Sequence, residues 1–295
     1  MSRHAYLILA HKNPRQVCKL VELLDDSRND IFIHIDKKSR QKGWKDLRAE
    51  KAGLYVLENP ISVNWGGTSG MKSELLLLKK ALATSRYDYY HLISGQDLPL
   101  KSQDEIHRFF DENQGKEFLN LWEMGEHARA RFELVTLFPE GESKFYIHAV
   151  NKIGKMIQKS LGYKRKGDVE YKFGSNWFSI TDDFARYVAD HEQWLLKTFK
   201  NINNCDELFL STLIWNSPYR KNLYRDDEAS IRDKNDSFMR YVDWDREGCY
   251  RHPWIFREED FDTLMSVPHL FARKFDEQVD SRIIDKIYKR LKGEV

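Results

Sequence analysis

The chain has 295 residues, 41% of them hydrophobic and 32% charged, which excludes collagen-like, low-complexity and small disulfide-stapled architectures and leaves enough length to bury a sizeable core. Lys+Arg 48 against Asp+Glu 46 gives a net charge of +2, so no overall positive field recruits nucleic acid. Aromatic residues at 13% would suit flat, half-apolar ligands such as sugars and bases wherever they line a cleft.

The first half alternates strand and helix signals. Ala5–Ala10 is a short apolar run that predicts a buried strand. Pro14 opens a helical stretch, Arg15–Leu24, with Val17, Leu20, Val21 and Leu24 on one face. Ile31–Ile35 is a β-branched strand ending at Asp36, and Leu54–Leu57 is another. After the break at Gly66-Gly67, Met71–Leu82 predicts a helix, and Tyr89–Ile93 a strand closed by Ser94-Gly95-Gln96-Asp97. Ser102 with Glu105 forms a capping box for a helix to Phe110, and Phe118–Trp122 is a further strand candidate. This alternation predicts a mostly parallel sheet covered by helices, with any ligand beyond the carboxyl ends of its strands, where His11, Asp36, Gln96 and Asp97 fall.

The second half is less regular. Asn151–Gly167 is basic, with Ile153, Met156, Ile157 and Leu161 at helical spacing. Trp177–Ile180 predicts a short strand, and Thr181 caps a helix with early acids Asp182 and Asp183. Asn204–Trp215 reads as a helix starting at Asp206-Glu207, and Ser281–Leu291 as an amphipathic one. With no repeat or linker, the expectation is one domain over 1–295. Residues 1–122 would form a nucleotide-binding half and residues 123–295 an acceptor-binding and catalytic half. Cys18, Cys205 and Cys249 lack metal-ligand or redox spacing, and no apolar run reaches the ~18–20 residues that cross a bilayer. These features predict a cytoplasmic protein.

Several segments together resemble glycosyltransferase family 14, the core-2/I-branching and peptide-O-xylosyltransferase family. They are Ala5–His11, Ile33–Lys38, Tyr90–Lys101, Gly174–Phe178, Asp206–Phe209, Arg240–Trp244 and His269–Asp276, in the family's order and over nearly the whole chain. The resemblance is to a bare, bacterial-type catalytic domain. It implies a GT-A α/β fold, a UDP-sugar donor, a glycan acceptor and transfer with inversion. It implies no metal or other cofactor, because basic side chains stand in the metal's place. UDP-GlcNAc leads as donor, with UDP-xylose and UDP-galactose as alternatives, in surface or capsular polysaccharide synthesis.

Inverting transfer needs one base to take the acceptor proton. By the resemblance that base is Glu207. The residue pattern alone favours a helix-start acid stabilised by the macrodipole, and the resemblance reverses that preference. Charge developing on the departing UDP must be neutralised, and the resemblance gives this role to Arg251 and Lys274, with Arg273 one residue from the latter. It also puts Ala10, His11 and Asp36 around the uridine, Gln96 and Asp97 beside the donor sugar, and Trp244 under the acceptor. Ser175, Asn176, Trp177 and Glu123 are acceptor-side candidates, and Arg129 and Arg131 could meet an acidic acceptor. Two rivals stand beside this reading. One is a metal-dependent transferase using the carboxylates of Asp243 and Asp245, and the other is a binding module without turnover. The basic segment 151–167 fits a solvated face, a lid over the donor, or peripheral contact with an anionic membrane.

Overall fold

The N-terminal apolar run forms β1 (His4–Ala10), followed by α1 (Pro14–Leu24) with Pro14 in its first turn, where the missing N–H costs nothing. Next come β2 (Asn29–Ile35), β3 (Gly53–Val56), α2 (Ser69–Thr84), β4 (Tyr89–Ser94), β5 (Asp97–Pro99) and α3 (Gln103–Glu112). The computed structural model describes residues 2–122, 125–141, 144–165, 169–225, 235–247, 249 and 252–294, without the side chains of 126–128. Its second half contains α4 (Glu126–Glu133), α5 (Phe145–Ser160), β6 (Phe178–Thr181), α6 (Asp182–Asp190), α7 (Glu192–Thr198) and α8 (Phe209–Trp215). β7 (Arg240–Val242), α9 (Phe261–Ser266), β8 (Phe271–Arg273) and α10 (Ser281–Lys292) follow.

The central sheet runs β3-β2-β1-β4-β6, parallel except for β6 at its edge. Side chains alternate between its faces with the period of two that strands impose. Tyr6, Ile8, Ile31, Ile33 and Ile93 join a core with α1 and α10. Ala5, Leu7, Phe32, Tyr90 and Leu92 join a second core with α2, α6 and α8. Burial on both faces explains why these strands read as continuous apolar runs. The predicted caps are present: Ser102 and Glu105 close a reciprocal box at α3, and the Thr181 hydroxyl accepts from the Phe184 N–H at α6.

Two expected elements differ. Phe118–Trp122 makes only single bridges, Phe118 to Ser179 and Trp122 to Phe173, because its neighbours change from one residue to the next and no ladder builds. The helix expected over 204–215 is broken. Asn204 takes a left-handed φ of 50°, Cys205–Glu207 forms a 3-10 turn, and α8 starts only at Phe209. Gly174 reaches this break: its N–H donates to the Glu207 carbonyl, and a Cβ on it would lie 1.8 Å from the Asn120 carbonyl oxygen.

A three-stranded sheet, β5-β8-β7, was not foreseen, since each of its strands has three residues and too few to show a period. Arg240 at the start of β7 fastens it to the central sheet. Its fully buried guanidinium donates to the carbonyls of Phe238 (2.7 Å), Phe178 (2.5 Å) and Leu92 (3.2 Å). On the other side, Asp276 accepts from Lys12 Nζ (2.6 Å) and Asn13 Nδ2 (2.8 Å), while the Gln16 amide donates to the carbonyls of Gly95 and Phe275. The segment after β8 is thereby held against the end of β1.

Candidate active site

The carboxyl ends of β1 and β2 open onto a cleft of about 610 Å³, where a parallel α/β sheet places its ligands. Ala10 and His11 leave β1 into it, and Asp36 leaves β2. Asp36 is buried and accepts from the Lys38 N–H (2.8 Å) and the Val63 N–H (3.3 Å), so it also fastens the loop that follows β3. That loop forms one wall and carries Trp65, which is 74% exposed. Gly66 makes the loop's contact with the opposite segment: its φ is +79°, its carbonyl accepts from the Asn204 N–H, and a Cβ on it would come within 2.6 Å of Asn203 Oδ1.

The 3-10 turn Cys205–Glu207 supplies the acid. Glu207 lines the cleft and is ion-paired with Arg131, whose guanidinium lies 5.2 Å from the Phe173 ring centre. Behind it, Asp206 is pushed up to about 7 by burial and by the neighbouring Glu207 charge. Gly70 of α2 leaves room for this carboxyl, since a Cβ there would sit 3.0 Å from Asp206 Oδ2. One turn on, Glu74 is also buried. Burial and Asp206 raise its pKa well above the carboxylate range, while the nearby Asn176 amide pulls the other way without reaching either oxygen at hydrogen-bond geometry.

A carboxyl whose folded pKa exceeds its unfolded value stabilises the fold fully below the unfolded pKa and loses that contribution as pH rises through the folded one. Asp206 should therefore make stability fall between about pH 4 and pH 7, by at most about 1.4 kcal/mol per pH unit for one proton. Asp206→Asn should flatten that limb in urea denaturation series across this range. An unchanged slope would place the proton elsewhere.

Positive charge gathers beside His11. Burial lowers its pKa, and the Lys12 and Lys274 charges lower it further. Lys274 itself is lowered by burial, then by Arg273 and Lys12. The adjacent Arg273 is turned inward: it packs on the Trp177 ring at 4.1 Å from its centre, with Asp97 Oδ1 3.6 Å from its Nε. Of these two neighbours, Lys274 is the one whose charge acts on His11, and neither of them lines the cleft.

The other sequence candidates lie in second positions. Gln96 is buried and donates to the Phe275 carbonyl, and Asp97 accepts from the Ser94 N–H and hydroxyl. Ser175 Oγ accepts from the Trp177 N–H. Trp244 is 43% exposed and outside the cleft lining. Arg251 and Glu123 fall outside the described residues. Asp243 does not fit a metal site well: it is bound to Arg246 at 2.9 Å and accepts from the Asp245 N–H. Among the described residues, no group of three His, Cys, Asp or Glu could hold an ion. Sequence reasoning missed the wall residues Lys38, Asn64 and Trp65, because loop side chains carry no period. Only the Gly66-Gly67 pair marked that segment.

Fold and cleft together define an α/β protein with a mostly parallel central sheet and a cleft at the carboxyl edge of that sheet. The chain belongs to the Core-2/I-branching enzyme family, whose profile matches residues 4–265. Among its relatives are xylosyltransferase 2 of Rattus norvegicus, 24% identical over 99% of this chain and 34% of that protein, and xylosyltransferase sqv-6 of Caenorhabditis briggsae, 27% identical over 95% and 35%. The chain thus spans about a third of the length of these relatives. Among solved structures, apo mouse xyloside xylosyltransferase 1 aligns over 74% of this chain and 83% of its own, with 11% identity and a TM-score of 0.35, a likeness too slight to build on.

Proposed function

We propose that this protein is an inverting glycosyltransferase that moves a sugar from a UDP-sugar to a hydroxyl of a glycan acceptor. The observation that carries the reading is a carboxylate, Glu207, in the cleft that also holds Asp36 and His11, with the Lys274 charge acting on His11. In this reading Asp36 and Trp65 receive the nucleoside and Glu207 takes the acceptor proton. Lys274, together with Arg251, meets the charge that develops on the diphosphate as the glycosidic bond breaks. Those fixed cations make the transfer independent of a metal. The named relatives bring UDP-xylose forward beside UDP-GlcNAc as donor, and assembly of a bacterial surface polysaccharide belongs to the same proposal. UDP release over a panel of UDP-sugars, with and without EDTA, tests it. Turnover with one donor that survives chelation is expected, and turnover abolished by EDTA would favour a metal-dependent transferase.

Lys274→Ala should weaken UDP binding by about 10–100-fold, the worth of a hydrogen bond to a charged group, and leave uridine binding nearly unchanged. Calorimetric titration with UDP, UMP and uridine reads the difference. Equal losses for all three would remove Lys274 from the diphosphate.

A further inference from the structure

Helix α5 is turned inside out. Apart from the half-buried Ile147, its inward positions are polar or small: Asn151 is buried and bonds both the N–H and the carbonyl of Phe138, Gln158 does the same with Val135, and Gly154 lies against Leu137. Most of its large apolar side chains point outward. Phe145 is 87% exposed, and Tyr146, Ile153, Met156 and Ile157 are each more than half exposed, as is Leu161 just past the helix. An exposed apolar stripe of this size on one helix is what a docking surface presents, and single exposed apolar residues need no such account.

Charge says what the stripe meets. Between Lys144 and Lys166 the chain has seven Lys or Arg and no Asp or Glu, although the whole chain is nearly balanced. Lys152 and Lys159, both exposed, lie along the edge of the apolar arc, and Lys164 follows the helix. Apolar side chains on one arc with cations beside them, where no helix among the described residues is long and apolar enough to cross a membrane, match a helix lying in the plane of an anionic bilayer. There the rings enter the headgroup boundary and the lysines reach the phosphates.

We infer that the exposed face of α5 docks this protein on an anionic phospholipid surface. The inference stands on this surface alone and does not need the transferase reading. Docking would also orient the cleft. The segment leading into α5 holds Glu140, which accepts from Asn64 Nδ2 (2.8 Å), the Ser69 N–H (2.8 Å) and the Thr68 hydroxyl (3.1 Å), so the helix's approach is tied to the wall that carries Trp65.

Flotation of the full chain with phosphatidylcholine vesicles, with and without phosphatidylglycerol, tests the inference. Binding is expected only to the anionic vesicles and should fall as salt rises through the screening range. The double variant Lys152→Glu, Lys159→Glu should lose more than about tenfold, since each basic residue near such a surface contributes about fivefold. The triple variant Ile153→Ser, Met156→Ser, Ile157→Ser should lose binding at equal thermal midpoint, because these side chains are exposed and the core does not use them. Background flotation with anionic vesicles overturns the inference. So does undiminished binding by the triple variant. A concentration-dependent dimer that this variant abolishes, without vesicle binding by the parent, gives the face to a second copy and overturns it as well.

Discussion

Glu207→Gln is expected to reduce sugar transfer by about 10²–10⁴-fold while UDP binding stays within a few-fold of the parent. The amide keeps the size of the side chain and one acceptor oxygen but cannot take a proton at neutral pH. The surroundings isolate this effect. Glu207 stands at the break ahead of α8, its N–H donates to Asp206 (3.2 Å) and its carbonyl accepts from Gly174, so the backbone that presents it does not depend on the carboxylate. The contact the variant disturbs is the Arg131 ion pair, part-exposed and so of small worth to stability. Steady-state kinetics should show the loss in kcat, with KM for the donor little moved. Full turnover in the variant would mean that another group accepts the proton. A parent protein that binds UDP without any turnover would be the binding module instead.

Arg240→Ala is expected to cost about 3–5 kcal/mol of stability, because it removes a buried guanidinium and leaves several buried acceptors to desolvate unpaired. The carbonyls of Phe178, Phe238 and Leu92 and the Ser179 hydroxyl all face this one side chain. Burial pulls the arginine pKa down to about 9, with Arg273 adding to that and Asp97 opposing it, so the group is already held at a solvation cost. Guanidinium chloride denaturation should show the midpoint fall at unchanged m-value. A cost below about 1 kcal/mol would mean that water replaces the guanidinium at those carbonyls.

The sequence was most legible where local signals agree with global burial. The apolar runs of β1, β2 and β4, the helical face of α1 and the boxes at Ser102 and Thr181 need only period and capping chemistry, and the structure contains each of them. Legibility ended where pairing is non-local. Nothing at Phe271–Arg273 marks it as a partner of Asp97–Pro99, and the 3-10 break at Asn204 depends on the contact with Gly66 from another loop. The candidate site divides in the same way. Asp36 and His11 follow from strand ends, and Glu207 and Lys274 from the family resemblance. Trp65 and the inward turn of Arg273 follow from neither, because both depend on what packs beside them. The basic segment was legible in composition, while the outward turn of its apolar side chains was not. Asn151 and Gln158 reverse the usual orientation by spending their amides on the backbone of 135–138.

Ile283, Ile284 and Ile287 of α10 complete the same core as Val17, Leu20 and Val21 of α1. During synthesis, then, the earliest strands emerge from the ribosome with one flank uncovered and stay so until residues beyond 280 follow. Such delayed closure favours slow maturation and a dependence on chaperones. Loss of Ile283, Ile284 and Ile287 should accordingly uncover the face of α1 that packs with them.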